Sequence, residues 1–178
     1  MRTAPRMRSA GFTLVEVMMT LAVLGILTMI AVPNFKQMLR NYEVRGAAES
    51  AAIGLQKARA EAVSRNASVQ FVLGSGTAWT VDYVTKPVAT DPPLDTRSSS
   101  DSPNATRTAV AADLSTAATT LTFNNIGLVV ANADGSPSLG RITVTASGAS
   151  ETLRVLIGAG GSARVCDPSL PTSNARAC

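Results

Sequence analysis

Gly11-Phe12-Thr13-Leu14-Val15-Glu16, with the apolar run that continues it to Val32, decides how this 178-residue chain is read. From Phe12 to Val32 there are 21 residues, and Glu16 is the only charged one. At about 1.5 Å rise per residue, a helix of that length crosses the hydrocarbon core of a bilayer. Arg2, Arg6 and Arg8 precede it with no acidic residue among them. That asymmetry keeps the short N-terminus in the cytoplasm and sends the remainder outward. A secretory signal fits poorly, because its apolar core spans about 7–15 residues and ends in a small-residue cleavage site. Here the far end reads Ala31-Val32-Pro33-Asn34. A plain anchor accounts for the length and leaves Glu16 unexplained, since an acidic residue inside a bilayer costs roughly a few kcal/mol. Glu16 lies one helical turn beyond Phe12. A newly freed amine at Phe12 of one subunit is therefore a natural partner for the Glu16 carboxylate of its neighbour.

The same six residues, followed by an apolar helix, resemble the processing site of type IV prepilins and type II secretion pseudopilins. The resemblance implies that a membrane prepilin peptidase cuts after Gly11, that the Phe12 amine is methylated, and that the helix packs into a filament core. Glu16 falls at the fifth mature residue, where that family keeps a glutamate. Residues 1–11 are then a leader and 12–33 a membrane and filament-core helix. The subunit waits in inner-membrane lipid with its outer domain in the periplasm, and after assembly it belongs to a surface pilus. Pro33 follows the apolar run; inside a helix a proline removes one backbone bond and bends the axis. The resemblance places a kink with local melting there, although a proline at the membrane edge explains the position equally well.

Composition excludes several classes of function. Without residues 1–11 the chain loses three of its 16 basic side chains, leaving 13 against 12 acidic ones, a net charge of +1. Overall basicity thus gives almost no argument for a nucleic-acid partner. Histidine is absent, which removes His-based triads and His metal sites. Cys166 and Cys178 are the only cysteines. They are too few for a metal site, and in an exported domain they most simply form one disulfide. No paired-carboxylate constellation or nucleophile motif is present, so the reading is of a non-enzyme with no catalytic residue, cofactor or metal.

Residues 34–66 continue as an amphipathic helix, the second half of a spine. Ala48, Ala51, Ala52, Leu55, Ala58 and Ala62 recur at helical spacing, and Asn66 is a suitable stop. From 67 to 178 the period becomes two. Val69, Phe71 and Leu73, then Gly74-Ser75-Gly76, then Trp79, Val81 and Tyr83 read as a β-hairpin. Helix followed by hairpin, with a Trp opening the second strand, resembles minor pilins of the FimU/FimT kind and the related H-type pseudopilin. Residues 85–119 are rich in Pro, Ser, Thr and Asp and read mostly as a surface insertion, with a short strand over 106–111. Further strands fall at 120–123, continuing through 128–130 past a bulge at Gly127, then at 141–145, 153–157 and 163–166. The expected fold is α+β: a type IV pilin fold with a long spine helix, membrane-spanning in its first half, against one antiparallel sheet. A disulfide loop over 166–178 closes the C-terminus. Gly158-Ala159-Gly160-Gly161 joins two strands and is not a phosphate loop.

The C-terminal residues Arg164-Val165-Cys166-Asp167-Pro168 also resemble the FimU/FimT minor pilins. Some FimT proteins bind DNA through a Gly-Arg-x-Arg motif here, and this chain has Gly161-Ser162-Ala163-Arg164, with the first arginine replaced. Arg154, Arg164 and Arg176 are the candidate DNA contacts, set against the plainer reading of solvated charges on strand faces. The resemblance implies a structural subunit whose partners are other minor and major pilins, with priming of the pilus tip as its role. DNA capture and a place in a type II secretion system are the alternatives.

Overall fold

A computed structural model describes residues 11–178, so Arg2, Arg6 and Arg8 of the expected leader lie outside the described residues. A long α-helix, α1, runs from Leu14 to Ser64 over 51 residues with Pro33 inside it. It starts two residues later than the apolar run because Thr13 caps it: the Glu16 N–H donates to Thr13 Oγ1 at 3.3 Å. At the other end Asn66 takes φ 50. The Asn66 N–H then reaches the Val63 carbonyl at 3.3 Å and the Ala67 N–H the Ala62 carbonyl at 3.1 Å. This pair of bonds satisfies the last turn, and asparagine tolerates the left-handed conformation that it requires.

The chain divides into two compact units between Lys36 and Gln37, within α1. In the first unit every described residue is exposed. In the second, α1 buries Val44, Ala47, Ala48, Ala51, Ala52, Leu55, Ala58 and Ala62. Small side chains on this stripe let a sheet come close. The approach is tightest at Gly54, where an added Cβ would lie 2.8 Å from Phe71 Cε2 and 3.0 Å from the Trp79 ring. Beside it the Trp79 indole N–H donates to the buried Ser50 hydroxyl at 2.8 Å.

Among the described residues, nine strands form two antiparallel sheets where the sequence suggests one. The first holds β1 (Val69–Leu73), β2 (Trp79–Tyr83), β3 (Asp95–Arg97), β5 (Thr120–Phe123) and β6 (Val129–Val130), ordered β3-β2-β1-β5-β6. The second is β4-β7-β8-β9, from β4 (Ala105–Ala111), β7 (Leu139–Ala146), β8 (Leu153–Ile157) and β9 (Ala163–Cys166). The hairpin register sets Phe71 against Val81, with both side chains buried. Residues 85–119 are more ordered than their composition suggests: β3 extends the first sheet, and β4 is a seven-residue strand paired with β7. Gly127 is not a bulge. With φ +76 it closes a turn, the Asn124 N–H bonds the Leu128 carbonyl at 2.9 Å, and β6 folds back onto β5.

Candidate functional site

Three features stand apart from the core. The first is the N-terminal segment. Gly11, Phe12 and Thr13 precede the helix, and Phe12 is 81% exposed. Glu16 is exposed on the first turn of α1, among Leu14, Val15, Val17, Met18 and Met19, which are exposed too. The helix is long and apolar enough to cross a membrane, and none of its most apolar window is buried. Around Pro33 the backbone remains helical on both sides, and the Asn34 side-chain amide donates to the Ile30 carbonyl at 3.3 Å.

The second is the C-terminal clasp. Cys166 and Cys178 are disulfide-bonded, with Cα atoms 5.1 Å apart. The tail returns along β9: the Asp167 N–H donates to the Arg176 carbonyl at 2.8 Å and the Cys178 N–H to the Asp167 carbonyl at 3.3 Å. Nearby, Arg45 of α1 grips Glu151 with two hydrogen bonds, one from Nε at 2.7 Å. Asn41 accepts the Ser150 N–H at 3.0 Å, so the turn before β8 is tied to the helix. The Arg45 hydrogen bonds hold the Glu151 carboxyl below its ordinary range against the opposing effect of burial. The Ser169 hydroxyl and amide do the same for Asp167. Arg45, Glu49, Glu151, Asp167 and Arg176 line a cavity of about 230 Å³, together with Leu153, Val165 and Cys166.

The third is the outer face of the second sheet. Side chains directly opposite each other in an antiparallel ladder share a face. Arg141 pairs with Leu156 and Leu156 with Arg164, while Arg154 pairs with Thr143 and Cys166. Arg141, Arg154 and Arg164 therefore lie on one face, opposite to buried Ile142, Val144 and Val155. Neighbours on adjacent strands sit diagonally, about 7–8 Å apart at their backbones. No strand of this sheet carries an acidic residue, and none of the six ion pairs among the described residues uses these arginines. The Nε atoms of Arg141 and Arg154 are covered and bond nothing among the described residues.

Two of the three arginines singled out from sequence are thus brought together. Arg176 is not: it belongs to the cavity with Glu151 and Asp167. Arg141 takes its place, and sequence reasoning missed it because membership of a face depends on strand register. Gly161 of the Gly-Ser-Ala-Arg stretch has a structural role of its own. It turns with φ +78, and a Cβ there would lie 2.6 Å from Phe123 Cε1.

The fold and the exposed apolar N-terminal helix describe a pilin-like subunit. Residues 6–32 match the prokaryotic N-terminal methylation motif, and residues 47–161 match the family of type II transport protein GspH. The chain belongs to that GspH family, a group of type IV minor pilins and GspH-like pseudopilins whose members are structural. Two crystal structures of the type IV minor pilin FimU from Pseudomonas aeruginosa (strain PAO1) share its fold. They are 21% and 20% identical, each with a TM-score of 0.50, covering 73% and 75% of this chain and 94% and 92% of theirs. The fold is therefore the type IV pilin fold. No curated protein matches the chain.

Proposed function

We propose that this chain is a minor pilin that is processed after Gly11, is inserted in a type IV filament through α1, and helps to prime assembly at the pilus tip. The observation that carries the reading is the exposed apolar surface of α1 from Leu14 to Leu39, with Glu16 on its first turn. A monomer has no use for such a surface. In lipid it is solvated by acyl chains, and in a filament it is covered by other helices. The prepilin peptidase reaches Gly11–Phe12 in an exposed, non-helical stretch. The new Phe12 amine then pairs with Glu16 of a neighbour in a low-dielectric core, where an unpaired carboxylate is costly. The domain faces the periplasm before assembly and the cell surface after it.

Replacement Glu16→Ala tests this. Cleavage should continue, because the residues flanking the scissile bond are unchanged, while the variant disappears from sheared pili. Normal amounts of the variant in sheared pili would overturn the assembly role of Glu16. Deletion of the gene should reduce surface pili, restored by the wild-type gene.

A second reading, DNA capture, is favoured by the acid-free face of Arg141, Arg154 and Arg164. Each phosphate contact releases counterions, so binding should weaken steeply with salt. Retarded migration of duplex DNA by the solubilised chain, weakened by Arg154→Ala and Arg164→Ala but not by Arg176→Ala, is the expected pattern. A third reading, a secretion pseudopilin, follows from the family match. It predicts that deletion stops export of an enzyme and leaves pili normal.

A further inference from the structure

Strand β9 leaves one edge of the second sheet open. Antiparallel partners exchange hydrogen bonds at alternate pairs. The Gly158 N–H donates to the Ser162 carbonyl at 2.9 Å, which puts the next bonded pairs at Leu156–Arg164 and Arg154–Cys166. The N–H and C=O groups of Ala163 and Val165 therefore point away from β8. No backbone partner for them is present among the described residues. The chain's own tail occupies the next position on this edge, bonding both backbone groups of Asp167, and the Cys166–Cys178 bridge holds it there. The edge thus already acts as a strand template at Asp167 and is left unfilled at the two positions before it.

Beside the open positions runs a groove of about 610 Å³ between α1 and the β8–β9 turn. Gln56, Ala60, Val63, Gly161 and Ala163 line it, with Arg59 alongside. Val63 is 51% exposed. Arg59 takes part in none of the six ion pairs among the described residues.

We propose that the open edge of β9 accepts an extended segment of a neighbouring filament subunit as an added strand. The segment's backbone bonds Ala163 and Val165, one apolar side chain lies against Ala60 and Val63, and a carboxylate meets Arg59. The chemistry of the edge selects this occupant. Donors and acceptors alternate at a two-residue repeat, which an extended polypeptide matches. A phosphate backbone offers acceptors only and leaves the two carbonyls unpaired. The inference rests on the reading of the chain as a filament subunit and adds where a neighbour attaches outside the helical core.

The test uses the full-length chain in piliated cells. Val165→Pro deletes an N–H that the sheet does not use, a position where an edge strand tolerates proline. Arg59→Glu reverses the groove charge. Either variant should fall about five- to tenfold in sheared filaments, as expected for one lost bond, with its membrane level and disulfide unchanged. In wild type, the Ala163 and Val165 amides should exchange hydrogen more slowly in filaments than in the detergent-solubilised subunit. Should Val165→Pro fail to form its disulfide, Arg59→Glu and the exchange rates decide. Equal exchange in both states, or wild-type levels of the variants in filaments, overturns the strand-addition proposal and leaves the subunit reading intact. Absence of the wild-type chain from sheared filaments overturns both.

Discussion

At Gly54 the spine helix gives up intrinsic helicity for contact. Alanine is favoured over glycine in a helix interior by about 1 kcal/mol, so propensity alone would make Gly54→Ala stabilising. Yet the new Cβ would meet Phe71 at 2.8 Å and the Trp79 ring at 3.0 Å. Both rings sit in the core, and forcing them apart costs typically about 1–3 kcal/mol. Overpacking wins, and denaturant unfolding of Gly54→Ala should show a lower midpoint than wild type. Ser50→Ala should also destabilise, by about 1–3 kcal/mol, because it leaves the buried Trp79 indole N–H without its acceptor. At Glu151 the effect is one of pH. Arg45 lowers its folded pKa, so the pair contributes fully above the unfolded value of about 4.3 and loses that contribution as pH falls through the folded value. Asp113, Asp134 and Asp167 are shifted in the same direction by their turn hydrogen bonds. Thermal stability should fall below about pH 4.3, and Glu151→Gln should make that fall shallower without abolishing it.

At the scale of elements, the C-terminal strap depends on one covalent bond. Ala177 is buried, but the rest of the tail contributes little to the core. Cys178→Ser should lower stability by about 3 kcal/mol on the chain-entropy view. The tail should become susceptible to protease while β1–β8 stay resistant. Strand positions were legible in the sequence wherever large apolar residues alternate, as at Val69-Phe71-Leu73 or Ile142-Val144. The helix stop was legible at Asn66 because one residue type suits the left-handed turn. Partner choice was not legible. Alternation says that a segment is a strand, not which strand it joins, so it neither divides the strands into two sheets nor sets Arg141 beside Arg154 and Arg164. Strand β4 falls where a short strand is expected over 106–111, whereas the three residues of β3, Asp95-Thr96-Arg97, carry no apolar alternation that would mark a strand. Gly54 gave no signal either, since its meaning lies in the aromatic rings across from it. The Thr13–Glu16 cap could have been found from its spacing.

At the scale of the whole molecule, the chain has two units: in one, every described residue is exposed, and in the other, two sheets pack on the residues of α1 from Gln37 onward. Gly11, Phe12, Glu16 and the exposed apolar residues of α1 before Gln37 all fall in the first unit. The clasp, the arginine face and the open β9 edge fall in the second. The proposed function uses the first unit for insertion in the filament, and the proposed strand addition uses the second. The central claim is that the chain is processed after Gly11 and built into a filament. Mass spectrometry of the N-terminal peptide from sheared surface filaments tests it most directly. The account predicts a peptide that begins at Phe12 with a methylated amine, recovered from the filaments in small amount beside the major subunit. A chain that retains residues 1–11, or that stays in the membrane fraction and is missing from the filaments, would contradict it.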